Sequence, residues 1–155
     1  MASMKRGPLV TEELHVLVVD DYEDNRQMYA ELLAYAGYRV AVASNGAEAI
    51  ATALRILPDL VIMDLSLPVI DGWEATRRLK GDERTRHIPV LALSGHAQEG
   101  LFGLSEGAHE AGCDAFLAKP CSPEALLEAV RDVLARRKLG VRKTRVRSRG
   151  ARRAG

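Results

Sequence analysis

The chain is poor in the residues that mark secreted or membrane-bound proteins. It has two cysteines, one tryptophan and two phenylalanines in 155 residues, with aromatics at 5%. No apolar run approaches the ~18 residues that cross a bilayer. Behind the basic pair Lys5-Arg6 there is no apolar signal-peptide centre either. These absences leave no membrane role to read, and the expected location is the cytoplasm. Nor do the cysteines make a disulfide framework. Cys113 and Cys121 flank an expected strand, Asp114 to Lys119. At ~3.3 Å per residue this sets their Cα atoms beyond the ~7 Å that a disulfide spans. Both are expected to be reduced, partly buried small hydrophobes.

What is present suffices for one domain. A chain of this length, 47% apolar and 28% charged, can bury roughly 70% of its unfolded surface around a single core. Its formal charge of +1 conceals a split: 11 of the 22 basic residues, but one of the 21 acidic ones, fall from Arg131 onward. Residues 1–130 therefore hold 11 basic and 20 acidic side chains, a net of −9. An acidic body with a basic tail reads as a folded domain carrying an appended segment. The expected boundaries are a flexible arm at 1–13, the domain at 14–138 and a basic tail without a core of its own at 139–155.

Within the body, short apolar runs alternate with helical periodicity. His15 to Val19 is a Val-rich run ending in Asp20-Asp21. Met28, Tyr29, Leu32, Leu33 and Ala36 recur at three and four, predicting an amphipathic helix over 22–36 closed by Gly37. Tyr38 to Ala43 alternates, as a less buried strand does. Ala47 to Leu57 reads as a helix stopped by Pro58. Leu60 to Met63 is apolar throughout, as a strand buried on both faces is, and it ends in Asp64. The loop to Asp71-Gly72 leads into a helix to about Lys80, and Val90 to Leu93 ends at Ser94. A Gly-rich stretch, 99–107, predicts a short fourth helix. Ala115 to Ala118 ends at Lys119-Pro120, and Ser122-Pro123-Glu124 opens a last helix to about Lys138. Five strands alternating with helices predict an α/β fold, a doubly wound (βα)5 unit with a five-stranded parallel sheet.

In the flavodoxin-like strand order 2-1-3-4-5, the first, third, fourth and fifth strands are neighbours. Their carboxyl ends then bring Asp20, Asp21, Asp64, Ser94 and Lys119 to one edge of the sheet, with Asp64 at the lip of the ligand crevice rather than in the core. Three crowded carboxylates repel one another, and a hard divalent cation with oxygen ligands relieves them, Mg²⁺ being the intracellular choice. Lys119 adds a positive point charge and Ser94 a hydroxyl donor. Such a set can clamp a phosphoryl group on its way to a nucleophilic Asp64.

The ordered pattern Asp20-Asp21, Asp64, Leu67-Pro68, Asp71-Gly72, Ser94 and Lys119-Pro120 resembles the receiver domain of two-component response regulators, over about residues 14–138. The resemblance implies a single-domain response regulator that switches partner binding. Asp64 would be the phosphoacceptor, charged by a histidine kinase or phosphotransfer protein and read by a downstream protein target. Asp21, Asp64 and the backbone carbonyl of Ser66 would ligate Mg²⁺, with Asp20 acting through a bound water. Lys119 would contact the phosphoryl group, its bond to Pro120 would be cis, and Ser94 with Phe116 would form the switch pair. Ser66 and His96 occupy the positions that tune dephosphorylation in this family. A dimer through the fourth and fifth helices is a further expectation drawn from it. Such a protein catalyses only its own phosphorylation and dephosphorylation, so it is not a turnover enzyme.

Two other classes stay open at this point. A phosphohydrolase of the haloacid-dehalogenase type also uses a strand-end Asp, Mg²⁺ and Lys, but it places an aspartate where Ser66 stands. A non-phosphorylated interaction module on the same fold would normally lack one of the acids or the lysine. The Arg-rich tail has charge enough for nucleic acid or an acidic surface. No aromatic interleaves it and no recognition fold surrounds it, so a solvated extension or linker is the first reading. Trp73 and Tyr22, beside the expected site, read as packing residues.

Overall fold

The computed structural model describes residues 13–67, 70–95 and 111–137. Five strands form one parallel sheet: β1 His15–Val19, β2 Arg39–Ala43, β3 Leu60–Asp64, β4 Val90–Ser94 and β5 Ala115–Ala118. Their order is β2-β1-β3-β4-β5, the doubly wound arrangement that the sequence predicts. The register aligns the strand ends, pairing Val19 with both Ala43 and Met63, Asp64 with Leu93, and Ser94 with Ala118. The carboxyl ends thus form a single edge. Among the described residues no helix is long and apolar enough to cross a membrane.

Helices α1 Glu23–Tyr35, α2 Gly46–Ile56 and α3 Gly72–Gly81 connect the strands, and a C-terminal helix spans 123–137. α1 and the C-terminal helix cover one face of the sheet, burying Tyr29, Leu33, Leu126, Val130 and Val133 against Val16, Val18, Ile62, Leu91 and Leu93. α2 and α3 cover the other with Ala49, Ala53, Ala75 and Leu79 against Leu17, Val19, Val61, Met63 and Ala92. β1, β3 and β4 are therefore buried on both faces, which is why their sequences run apolar without alternation. Each fully buried Leu or Ile there stabilises the fold by roughly 2 kcal/mol.

Local signals set the helix ends. Asn45 and Asp71 cap α2 and α3, accepting from Glu48 N–H at 2.8 Å and Glu74 N–H at 2.9 Å. Ser122 Oγ accepts from Ala125 N–H at 3.0 Å, so Pro123 takes the first helical position, where its missing N–H costs nothing. α1 ends with the Ala36 N–H on the Leu32 carbonyl, followed by Gly37 in the left-handed region at φ +106°.

The structure amends several sequence expectations. Met28 does not join the apolar face of α1. It is 51% exposed, because the helix is rotated to bury Tyr29 and Leu33. Tyr22 is not packed in a loop but stands 57% exposed at the N-cap of α1. The Lys119–Pro120 bond is cis, as expected. Both cysteines are free, and burial pushes the Cys113 thiol up to about 11. Pro68, His96, the Gly-rich stretch with the expected fourth helix, the N-terminal arm through Glu12 and the tail from Lys138 lie outside the described residues.

Candidate functional site: an acidic cluster at the carboxyl edge of the sheet

The site is made of strand ends. Asp20 follows the last residue of β1, one position past the last ladder pair, and its N–H reaches the Ala43 carbonyl at 3.1 Å. Its Oδ1 accepts from Tyr22 N–H at 2.9 Å, the local turn that Asp favours where a strand passes into a helix. Asp64 ends β3, and its Oδ1 accepts from Ser66 N–H at 3.0 Å. On the far side of β4, the Lys119 N–H donates to the Ser94 carbonyl at 2.7 Å, which continues the β4–β5 ladder past the strand end.

These ends converge. One carboxylate oxygen from each of Asp20, Asp21 and Asp64 lies within 4.8 Å of the other two. Lys119 Nζ donates to Asp20 Oδ2 at 3.3 Å and pairs with Asp64 Oδ2 at 3.6 Å. Asp20, Asp64 and Ser94 are buried, at 1%, 3% and 1% exposure, while Asp21 is exposed. The expectation of Asp64 at the lip of a crevice is thus corrected. Its side chain is buried, whereas the neighbouring Asp21 is exposed.

Burial raises the Asp64 carboxyl above its ordinary value of 3.8. The Ser66 N–H and Lys119 oppose this, and Asp20 and Asp21 add to it. Below the cluster, burial first, and then the neighbouring Cys121, Asp20 and Asp64, push the Tyr29 hydroxyl up to about 12. The set carries three negative charges against the one of Lys119. Such an excess, on hard oxygens with an open side, fits a small divalent cation.

Gly72 explains how α3 starts so close to the acid. A Cβ there would fall on the Asp64 carbonyl oxygen and 2.7 Å from the Cα of Leu65. Only glycine lets the helix begin against the end of β3, a close approach at the pair Asp71-Gly72 that the sequence marks only as a turn.

The remaining expected residues lie around this centre. Ser66 is exposed and touches Asp64 through its N–H. Phe116 stands opposite Ala92 on β5, half-buried against the face that α2 and α3 cover. Trp73 packs on the same cluster from the first turn of α3. Sequence reasoning missed Arg26, whose Nη1 donates at 2.9 Å to the Asp20 carbonyl. The available signal was its place one helical turn past the acidic pair, as the sole basic residue of α1.

Comparison with known proteins agrees with fold and site. The family model of the response regulator receiver domain matches residues 16–131. The polar-differentiation response regulator DivK of Brucella anthropi is 36% identical over 119 residues, covering 77% of this chain and 94% of its own length. The chemotaxis protein CheY4 of Vibrio cholerae superposes with a TM-score of 0.72 at 32% identity, over 77% of this chain and 98% of its own. The receiver domain of the sensor histidine kinase PA1611 of Pseudomonas aeruginosa, which has a magnesium ion coordinated in its active-site cleft, does so with a TM-score of 0.72 at 32% identity, over 79% and 98%.

An acidic cluster with a lysine at the carboxyl edge of a 2-1-3-4-5 sheet thus defines the class: a phosphorylation-dependent signalling domain. The chain belongs to the response regulator receiver domain family. No relative supports the phosphohydrolase alternative, and Ser66 stands where that chemistry needs an aspartate.

Proposed function

We propose that Asp64 accepts a phosphoryl group from a histidine kinase or phosphotransfer protein, and that the modified form is read by a downstream protein target. The observation that carries this reading is the meeting of Asp20, Asp21 and Asp64 within 4.8 Å, with Lys119 Nζ 3.6 Å from Asp64 Oδ2. Asp20, Asp21, Asp64 and the carbonyl of Ser66 would hold Mg²⁺. When bound, the ion neutralises carboxylate charge and polarises phosphoryl oxygens.

The chain's own groups supply the rest. An Asp64 carboxylate oxygen bonds to phosphorus as the bond from phosphorus to the donor nitrogen, or to the oxygen of a small acyl phosphate, breaks. Lys119 balances charge on the phosphoryl oxygens, and the Ser94 hydroxyl donates to one of them. Moving Ser94 toward the new group frees volume beside Phe116, on the same face of the sheet, and so couples the site to the surface. Ser66 and His96 govern how water approaches the phosphorylated carboxylate. Catalysis in this reading is confined to the protein's own modification, and the setting is a cytoplasmic two-component system.

Intact mass after incubation with acetyl phosphate tests it. The expected result is a Mg²⁺-dependent gain of one phosphoryl group in the wild type and none in Asp64→Asn. No gain with acetyl phosphate or any phosphohistidine donor would sink the phosphoacceptor role. Steady phosphate release without an adduct would return the hydrolase reading.

A further inference from the structure

Arg26 touches the acidic site without belonging to it. Its backbone N–H donates to the Tyr22 carbonyl at 2.9 Å, the first hydrogen bond of α1, while its Nη1 donates to the Asp20 carbonyl at 2.9 Å. One residue thus grips both ends of the turn that carries Asp20 and Asp21. The Asp20 carbonyl lies one residue past the β1–β3 ladder, and among the described residues no backbone N–H donates to it.

That grip has a geometric consequence. The Asp20 carbonyl belongs to the peptide plane joining Asp20 to Asp21, and both carboxylates spring from the Cα atoms at its two ends. The planar peptide has no internal freedom. Holding its oxygen therefore restrains the turn of that plane and the placement of the two Cα atoms from which the carboxylates extend. Asp20 has further restraints in Tyr22 N–H and Lys119 Nζ, whereas Asp21 is exposed. Across the next loop, Glu48 Oε1 accepts from the Ser44 N–H and hydroxyl, both at 2.8 Å. Those bonds hold its carboxyl below the ordinary range, and the nearby charge of Arg26 adds to the effect.

Resting on the cation-site reading above, we infer that Arg26 is a positioning residue for that site, orienting Asp20 and Asp21 through the peptide between them. Its charge and its hydrogen bond act in opposite directions. As a cation beside a divalent-ion site it disfavours binding by repulsion. As a clamp on the ligand-bearing turn it favours binding, because residues that orient metal ligands are worth about 10- to 100-fold in affinity.

The experiment is calorimetric titration of the full chain with Mg²⁺, comparing wild type with Arg26→Gln, alongside phosphorylation by acetyl phosphate at saturating Mg²⁺. The expected result is about tenfold weaker Mg²⁺ binding with the phosphorylation rate restored once the site is saturated. Unchanged or tighter binding would overturn the inference, since the charge alone would then matter. A rate that stays low at saturation would also overturn it, assigning Arg26 to the transfer itself. Should Arg26→Gln fail to fold, Arg26→Met keeps the stem and helix propensity and answers to the same outcomes. A wild type that binds no Mg²⁺ would instead remove the cation site, separating failure of that reading from failure of this one.

Discussion

The two edges of the sheet handle their carboxylates in opposite ways. At the edge where the strands begin, Asp59 Oδ2 accepts from His15 N–H at 2.8 Å and its Oδ1 from Arg137 Nη1 at 3.1 Å. Asp114 Oδ2 accepts from Val90 N–H at 2.8 Å and from Lys80 Nζ at 3.0 Å, and that ammonium also reaches the Ile88 carbonyl at 2.7 Å. Each acid there ties a loop to a strand and has a cation of its own. At the edge where the strands end, three carboxylates crowd together, and one lysine, Lys119, pairs with two of them, Asp20 and Asp64. One edge uses charge to close the fold. The other holds an excess of negative charge that a cation and a phosphoryl group would relieve, so stability and function occupy opposite ends of the same strands.

Three substitutions would break or sharpen this contrast. The largest effect is expected for Gly72→Ala, since the added methyl collides with the backbone of Asp64 and Leu65 at the functional edge. A loss of about 3 kcal/mol in urea unfolding, with failure to phosphorylate, is the expected pair of results. Wild-type stability would deny that the close approach matters. Asp114→Ala is expected to lose about 2 kcal/mol, because it leaves the buried Val90 N–H without an acceptor and removes a partner of Lys80. Phosphorylation should persist, and a selective loss of it would blur the division between the edges.

Asp64→Asn runs the other way. Removing one of three crowded charges should raise the metal-free Tm by about 3 °C, roughly 1 kcal/mol. The sign also appears in pH. The folded-state value of Asp64 is raised above its ordinary 3.8, so the folded chain holds this proton more tightly than the unfolded chain does. Its contribution is fully present below 3.8 and is lost as pH rises through the folded value. Metal-free melting of wild type minus Asp64→Asn across that window should therefore fall with rising pH. A rising difference would place Asp64 among the satisfied carboxylates.

Much of this was legible in the chain because the signals are local or periodic. The unbroken runs around Val18, Ile62 and Leu91 announced buried strands, and alternation at β2 announced a less buried one, whose exposure pattern is indeed mixed. Ser122 announced its helix through a side chain that bonds within three residues, whereas Asn45 and Asp71 cap theirs in the same way but stood in the sequence only as turn residues. Periodicity failed at Met28, where one turn of helix offers several apolar residues and only packing against the sheet selects Tyr29 and Leu33. Arg26 escaped notice because its bond goes to a main-chain carbonyl, and every residue in the sequence carries one.

By itself the sequence determined the alternation of strands and helices, the Ser122 cap and the Gly37 stop, and which polar residues end each strand, since these follow from hydrophobic period and short-range hydrogen bonding. Only the tertiary structure decided that Asp20 and Lys119, 99 residues apart, come within 3.3 Å. It also decided that Asp64 is buried, and that one arginine clamps the turn between two carboxylates. Those facts depend on strand order, on register and on the packing of segments far apart in the chain. Such relations join distant segments, and no local pattern encodes the distances they produce.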